Sequence, residues 1–130
     1  SEAASRIAYG GGTLADQPAI ASQLAQLEIE ALTIETMVMR LMADAAAGVD
    51  SGPRASMLKL RWSETLQKVT EQWTEVLGYD AAVFEDLSGE GVPQDMPLAL
   101  QGALYARVTS IYGGSSEIQR NIIARRSLGL

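Results

Sequence analysis

The sequence predicts an all-α protein whose helices form an up-and-down four-helix bundle, and three observations support this prediction. Hydrophobic residues make up 47% of the 130 residues but aromatic residues only 5%, a balance more typical of packed helices than of a β-sandwich. Apolar residues recur at alternating steps of four and three along two long stretches. Clusters of Gly, Pro, Ser and Asp separate these stretches, so each of them is interpreted as one helix.

The first residues are predicted to belong to the end of a helix that enters from upstream. This helix covers Ala3 to Tyr9 and is interrupted by Gly10-Gly11-Gly12. Ser1 is not an initiator Met, and the chain opens in the middle of a pattern. A length of 130 residues suits one domain. We therefore expect residues 1–130 to form a single helical-bundle domain that is a fragment or a processed product of a longer protein.

The first long helix is predicted to begin after Asp16 as its N-cap, with Pro18 in its first turn, and to end near Gly48. Its seam has the spacing of a coiled coil and consists of Ile20, Leu24, Leu27, Ala31, Ile34, Val38, Leu41 and Ala45. A second apolar face is formed by Ile29, Leu32, Met39 and Met42. This second face indicates that the helix packs against more than one partner.

Three further helices follow. The second long helix is predicted from Arg54 to Leu77, with Gly78 after its end. Its inward stripe is predicted to contain Leu58, Trp62, Leu66, Val69, Trp73 and Val76. Residues 79–96 are acidic and irregular but lack the ligand spacing of an EF-hand, so we interpret them as a solvated loop. The last two helices are predicted over residues 97–112 and 116–128.

The composition excludes several classes of function. The formal net charge is −6 and no basic run is present, so nucleic acid is not an expected partner. The chain has no Cys and no His, which excludes disulfides, thiolate or imidazole metal sites and a Ser-His-Asp triad. No apolar run has the length of a membrane span and no export signal is recognisable. We expect a cytoplasmic protein without a metal site.

The most informative stretch is residues 111–120, where one helix runs into Gly113-Gly114 and the next begins on two hydroxyl residues. Adjacent glycines allow a sharp turn and a close backbone approach, because neither carries a Cβ. Ser116 is predicted to be the N-cap, with Gln119 reaching back at capping-box spacing. The amides of the new helix can also receive an anion or an acceptor-rich ligand. The residues alone leave open whether this corner only joins two helices or also binds a ligand.

The segment from Tyr105 to Leu130, YARVTSIYGGSSEIQRNIIARRSLGL, resembles the C-terminal signature of the acyl-CoA dehydrogenase family. The order of two weaker motifs agrees with this resemblance. Residues 6–10, RIAYG, are similar to the family's Arg-x-x-Phe-Gly, and residues 56–60, SMLKL, followed by Glu64, resemble the start of its second long helix. The resemblance covers essentially the whole chain. It implies the fold of the family's C-terminal helical domain, as a fragment or split subunit of a larger flavoprotein.

The resemblance also implies which residues contact the cofactor FAD. Ser115 matches the residue beside the FAD adenine, and Arg6, followed by Tyr9, matches an Arg that reaches the FAD pyrophosphate of a neighbouring subunit. The implied cofactor-binding residues are Arg6, Tyr9, Gly113, Gly114, Ser115 and Glu117.

The chain departs from the family pattern at two positions. Gly113 stands where many members carry the Glu that abstracts the substrate α-proton, so no catalytic residue is assigned within residues 1–130. Residues 75–79, EVLGY, keep only Gly78 of the glycine loop Gln-x-x-Gly-Gly-x-Gly that approaches FAD. Both departures are similar to those of a subunit that supports a flavin site in a heteromeric member of the family.

The activity implied is an FAD-dependent acyl-CoA dehydrogenase that introduces an α,β-double bond into an acyl-CoA thioester. An electron-transfer flavoprotein would reoxidise the FAD, and dehydrogenase subunits would form a homo- or hetero-tetramer. The isolated chain is predicted to be inactive, because it lacks the base and the β-domain. The alternative is a non-catalytic helical scaffold or partner subunit without a flavin of its own. A weaker alternative is a flavin oxidase or monooxygenase that shares the bundle.

Overall fold

The computed structural model describes residues 8–9, 12–78 and 98–130. Four α-helices dominate this part of the chain, as predicted for an all-α bundle. Their bounds are α1, Pro18–Ala46; α2, Gly52–Leu77; α3, Leu98–Ala106; and α4, Ser116–Ile123. The long helices α1 and α2 are antiparallel, since Glu30 pairs with Lys68, and Asp44, further along α1, pairs with Arg54, which lies earlier in α2. Helices α3 and α4 pack on another face of α2, where Gln67 and Glu64 contact them.

The start of the chain differs from the helical prediction. Strand β1, Ala8–Tyr9, pairs antiparallel with β2, Gly12–Thr13, so Ala8 and Tyr9 do not end a helix. Two extended dipeptides separated by Gly-Gly are typical of a hairpin, which explains the difference. The remainder of the predicted segment, residues 3–7, lies outside the described residues.

Asp16 is not the N-cap of α1, as the sequence had suggested. It closes a short 3₁₀ turn, Leu14–Asp16, in which the backbone amide and the hydroxyl of Thr13 donate to its carboxylate at 2.7 and 2.8 Å. These hydrogen bonds hold the pKa of Asp16 below its ordinary value. Gln17 takes the cap position of α1 without a side-chain hydrogen bond, and Pro18 occupies the first turn as predicted.

The seam of α1 follows the prediction at five of its eight positions. Ile20, Leu24, Leu27, Ile34 and Leu41 are partly buried. Ala31, Val38 and Ala45 are exposed, and the residues before them, Glu30, Met37 and Asp44, lie closer to the core. A straight helix has 3.6 residues per turn rather than 3.5, so its inward face drifts away from a strict heptad pattern.

The drift places a carboxylate in the α1–α2 interface. Glu30 is only 5% exposed. Its carboxylate accepts from the Lys68 ammonium at 2.7 Å and from the Thr65 hydroxyl at 2.9 Å. The hydrogen bond from Lys68, in the first place, holds the pKa of Glu30 below its ordinary value, against the opposing effect of burial. This buried triad fixes the register of the two long helices.

Small residues form the core between α2 and the two short helices. Leu60, Ser56 and Ser63 are buried on α2, and Ala106 and Thr109 are buried opposite them. The hydroxyls of Ser63 and Thr109 donate to carbonyls of their own helical turns, at 3.0 and 2.6 Å. Because the hydroxyls are satisfied locally, the helices can approach closely without an unpaired polar group. The predicted inward stripe of α2 is less enclosed, since Trp62, Val69 and Trp73 are each 39% exposed.

The last two helices change type before they end. Helix α3 continues as a 3₁₀ helix over Arg107–Ser110, and α4 continues as a π-helix over Ala124–Leu128. Together they cover most of the two predicted helical segments.

The second apolar face of α1 is exposed in this chain. Ile29 and Leu32 are 57% exposed, and Met39 and Met42 are 63% exposed. The hydroxyls of Thr33 and Thr36 on this side donate to backbone carbonyls of α1, so they offer little polarity to the surroundings. A row of exposed apolar side chains on one face of a helix is typical of an interaction surface.

Replacing Gly102 with alanine is expected to raise the free energy of unfolding by about 0.5–1 kcal/mol. Gly102 lies inside α3, and a Cβ added to it would meet no atom within 4 Å. Alanine therefore reduces the entropy of the unfolded chain without a steric cost. Urea unfolding followed by circular dichroism measures the change; a lower midpoint would contradict it.

Candidate functional site

The corner between α3 and α4, residues 111–119, combines an exposed backbone with the start of a helix. Gly113 and Gly114 both have positive φ angles, +67° and +91°. Both glycines are exposed. The left-handed conformation at two successive residues reverses the chain, and only glycine adopts it without strain. The sharp turn lies at the two glycines at which the sequence predicts it.

The N-cap of α4 is Ser115, not Ser116. Ser115 has the extended backbone of a cap residue, φ −60° and ψ 160°, and its hydroxyl accepts from the Ile118 amide at 3.4 Å. Ser116 is already helical and buried, and its hydroxyl donates to the Ser110 carbonyl at 3.4 Å. The predicted capping box therefore does not form at Ser116. The cap lies one residue earlier because the two left-handed glycines end directly before Ser115.

Gln119 has a different role from the one predicted. Its side-chain amide donates to the Gly113 carbonyl at 2.9 Å and does not reach back to the Ser116 amide. Gln119 is only 8% exposed, so the donor side of this hydrogen bond is sheltered from water. It satisfies a carbonyl left without a helical partner by the break. Gln119 is thus the residue that holds the two glycines in place.

Glu117 gives the corner its negative charge. The hydroxyl of Ser115 and the backbone amide of Glu117, in that order, hold the pKa of this carboxyl below its ordinary value. The nearby charges of Arg120 and Lys59 act in the same direction. Glu117 itself is exposed and lies in the first turn of α4, where the helix dipole favours a carboxylate.

The apolar rim consists of exposed side chains on α3 and in the corner itself. Tyr105 and Ile111 are 69% and 67% exposed, and Leu104, Ile118 and Tyr112 are exposed to a lesser degree. Two grooves of about 270 and 300 Å³ lie between α1 and α2, and neither is lined by residues of the corner. In the described part of the chain the corner is therefore an open surface rather than an enclosed pocket.

The structure brings together four of the six predicted cofactor-binding residues: Gly113, Gly114, Ser115 and Glu117. Arg6 lies outside the described residues. Tyr9 is described only by its backbone in β1. Gly113 carries no side chain, so the position of the family's base offers no proton acceptor.

The second departure from the family pattern lies away from this corner. Gly78 directly follows α2 with a φ of +58°, whereas Tyr79 lies outside the described residues. Glu75 is exposed and lines the larger groove between α1 and α2.

Lys59 is a residue that the sequence analysis did not assign to any site. Its Nζ atom is buried and has no hydrogen-bond partner among the described residues. Its charge lowers the pKa of Glu117. The sequence analysis left Lys59 out of the inward stripe of α2, although it stands between Leu58, which is partly buried, and Leu60, which is buried.

In the described ranges, 8–9, 12–78 and 98–130, none of the helices combines the length and hydropathy that crossing a membrane requires. Within the same ranges, no three Asp or Glu residues cluster as a metal site would require.

Comparison with known proteins identifies relatives of the whole domain. Residues 2–128 match the family model described as acyl-CoA dehydrogenase, C-terminal domain. A protein of Mycolicibacterium smegmatis named acyl-CoA dehydrogenase IpdE1 is 35% identical over 116 residues, which are 89% of this chain and 26% of that protein. Its namesake in Mycobacterium tuberculosis is 36% identical over 107 residues, with 78% of this chain and 26% of that protein covered.

Solved structures share the fold. Two of them, described as PigA with FAD and proline and as the FAD complex of PigA, each match with a TM-score of 0.80 and 21% identity. Each match covers 99% of this chain and 30% of the other. The chain also spans only 26% of the length of the two IpdE1 proteins. On the match over residues 2–128, this chain belongs to the acyl-CoA dehydrogenase family, whose C-terminal domain it carries.

Proposed function

We propose that this chain is the C-terminal domain of an FAD-dependent acyl-CoA dehydrogenase that desaturates an acyl-CoA thioester at the α,β-position. The chain supplies part of the FAD site and an oligomer interface, and the catalytic base lies elsewhere. The observation that carries the proposal is the corner at residues 113–117, where two left-handed glycines expose backbone beside a capped helix start. The name that both IpdE1 relatives bear supports the reaction.

The donors and acceptors of the corner fit the adenine end of FAD better than its diphosphate. The carboxylate of Glu117 already occupies the positive end of α4, so a phosphate there would meet a like charge. A heterocycle with amino groups offers donors to that carboxylate and to the hydroxyl oxygen of Ser115. Exposed Gly113 and Gly114 leave room for a flat ring near the backbone. In this proposal Arg6, with its planar guanidinium, holds the diphosphate of a neighbouring subunit.

FAD, when bound, supplies the hydride acceptor of the reaction. The residues of this chain bind and orient the cofactor, and the apolar rim formed by Tyr105, Ile111 and their neighbours excludes water when another domain covers it. Gly113 cannot move a proton. The isolated chain is therefore expected to give no turnover, and activity requires the rest of the flavoprotein.

The remaining parts of the proposal concern the whole protein. The domain belongs to a larger or split cytoplasmic flavoprotein that assembles as a homo- or hetero-tetramer, and an electron-transfer flavoprotein reoxidises its FAD. The FAD in the two PigA structures supports a flavin in a bundle of this fold. The uncovered face of α1 supports assembly.

Replacing Ser115 with alanine is expected to weaken FAD binding by the assembled protein roughly five- to tenfold, the effect of one lost hydrogen bond. The same change removes the α4 cap and costs about 1 kcal/mol of stability. Ser116→Ala is the matched control, because Ser116 is buried and its hydroxyl donates to the Ser110 carbonyl. Both variants are expected to unfold more easily, and only Ser115→Ala to lose flavin.

Flavin absorbance after dialysis measures this loss, with the chain purified together with its partner subunits. Arg6→Ala is expected to release flavin as well. If the assembly never holds FAD and is unchanged by either substitution, the chain is a helical scaffold and the proposal is wrong. Turnover by residues 1–130 alone would contradict the absence of a base. Rapid reaction of the reduced flavin with oxygen would indicate an oxidase or monooxygenase.

A further inference from the structure

An ion pair joins α4 to the second long helix, one residue beyond the corner. Nη2 of Arg120 lies 3.2 Å from Oε1 of Glu64 on α2. On α2 itself, Arg61 lies 3.8 Å from the other carboxylate oxygen of Glu64. The side chains of Glu64 and Arg120 are 42% and 57% exposed, so their pairing is expected to contribute little to stability. The position of the pair beside the corner points to a different role.

Arg120 has a second carboxylate within reach on its own helix. Glu117 lies three positions earlier in α4, and residues at this spacing are neighbours on a helix surface, where opposite charges attract. In the described part of the chain, however, Arg120 pairs with Glu64 and forms no ion pair with Glu117. Its charge acts on Glu117 only from a distance. Glu64 and Glu117 therefore compete for one guanidinium, and Glu64 holds it.

This competition matters because Glu117 is the exposed carboxylate of the corner. A carboxylate has two oxygens with about four acceptor positions. The Ser115 hydroxyl and the backbone amide of Glu117 donate to it, and Lys59 acts on it from α2 through its charge. The acceptor positions that remain on this exposed side chain are open to a ligand. A guanidinium that bound both oxygens would occupy them.

We propose that Glu64 is a positioning residue, which holds Arg120 away from Glu117 and so leaves this carboxylate free to accept a hydrogen bond from the amino group of the adenine. Glu64 acts through Arg120 and does not touch the cofactor. The proposal rests on the proposed function, because it assumes that Glu117 faces the adenine. It adds two residues, on two helices, that determine whether the corner can accept a donor.

The FAD dissociation constant of the chain assembled with its partner subunits tests the proposal. Glu64→Gln is expected to weaken FAD binding roughly two- to fivefold, because Arg120 is then released and pairs with Glu117. Arg120→Met also breaks the ion pair but leaves Glu117 free, so it is expected to bind FAD as the wild type does. Adding Arg120→Met to Glu64→Gln is therefore expected to restore the wild-type dissociation constant.

Glu71→Gln is the matched control for this series. It breaks the ion pair between Glu71 on α2 and Arg107 in the 3₁₀ segment after α3, with the same change in net charge and similar exposure of both side chains. No effect on FAD binding is expected. An ion pair that only stabilised the bundle would give the opposite pattern, in which Arg120→Met weakens binding as much as Glu64→Gln and the double variant gains nothing.

A second measurement does not depend on flavin. The pKa of Glu117, followed by NMR in the full chain, is expected to fall further in Glu64→Gln than in Glu71→Gln, because a paired guanidinium favours the ionised carboxyl. In the double variant the pKa of Glu117 is expected to lie above the wild-type value, because the charge of Arg120 lowers it in the wild type.

Either of two results would overturn the proposal: an unchanged pKa of Glu117 in Glu64→Gln, or a double variant that binds FAD as weakly as Glu64→Gln. The failure of the proposed function looks different. If the pKa of Glu117 moves as expected while Glu64→Gln and Glu117→Gln both bind FAD normally, then Arg120 does exchange partners but the corner does not contact the cofactor.

Discussion

Gly114→Val is expected to lower the free energy of unfolding by about 3 kcal/mol and to abolish flavin binding by the assembled protein. Gly114 has a φ of +91°, a conformation that a β-branched residue adopts only with strain. A Cβ at this position would also lie 2.8 Å from Nε2 of Gln119. The amide would have to move, and its hydrogen bond to the Gly113 carbonyl would break.

Gly113→Ala separates backbone strain from the loss of the Gln119 contact. Gly113 also has a positive φ, +67°, but a Cβ there would meet no atom within 4 Å. Gly113→Ala is therefore expected to lower the free energy of unfolding by only about 1 kcal/mol. Gln119→Ala removes the hydrogen bond without straining the glycines, and a cost between those of the two glycine variants is expected. Urea unfolding measures all three.

The ranking of these variants is the test of the corner. If Gly113→Ala costs as much as Gly114→Val, then Gln119 does not hold the turn and strain alone explains both. If Gly114→Val binds flavin normally while it is destabilised, then the corner joins two helices and does not contact the cofactor.

The sequence predicted the four helices because their apolar spacing and their Gly and Pro boundaries are local signals. It placed three seam residues of α1 one position too late. A strict alternation of four and three favours apolar Ala31 over Glu30, whereas the geometry of a straight helix turns Glu30 inward. The buried charge of Glu30 is stabilised by hydrogen bonds from Lys68 and Thr65, which lie on another helix. Spacing within one helix contains no information about such a partner.

The corner was located correctly, but its internal hydrogen bonds were not. The spacing Ser116 to Gln119 satisfies the capping-box pattern, so the sequence favoured Ser116 over Ser115. Which of two adjacent serines caps a helix depends on where the preceding glycines end, and this is a property of their φ angles. The burial of Lys59 could likewise not be predicted from the sequence, because it depends on how α1 packs against α2.

Lys68→Met is expected to lower the free energy of unfolding by about 2–3 kcal/mol at pH 7. Glu30 would then keep its carboxylate in the α1–α2 interface with only the Thr65 hydroxyl as a hydrogen-bond donor. This cost is smaller than that of breaking a fully buried pair, because Lys68 is itself 49% exposed. Arg54→Met is the matched control. It breaks the ion pair between Arg54 and Asp44, in which the Arg54 side chain is 59% exposed. We expect it to lower the free energy of unfolding by less than about 1 kcal/mol.

The pH dependence distinguishes the charge pair from packing. In the wild type the pKa of Glu30 is lowered on folding, from a reference of 4.5, chiefly by the hydrogen bond from Lys68. The unfolded chain therefore binds this proton more readily, and the stabilising contribution is complete above the reference value and is lost as the pH falls through the folded pKa. In Lys68→Met, burial of the carboxylate opposes ionisation without the main compensating interaction. Protonation of Glu30 then removes the unfavourable buried charge from the variant. The difference in the free energy of unfolding between the variant and the wild type should therefore shrink as the pH falls from 7 to 4. A deficit that stays constant over this range would mean that Lys68 stabilises the interface through its aliphatic stem rather than through its charge.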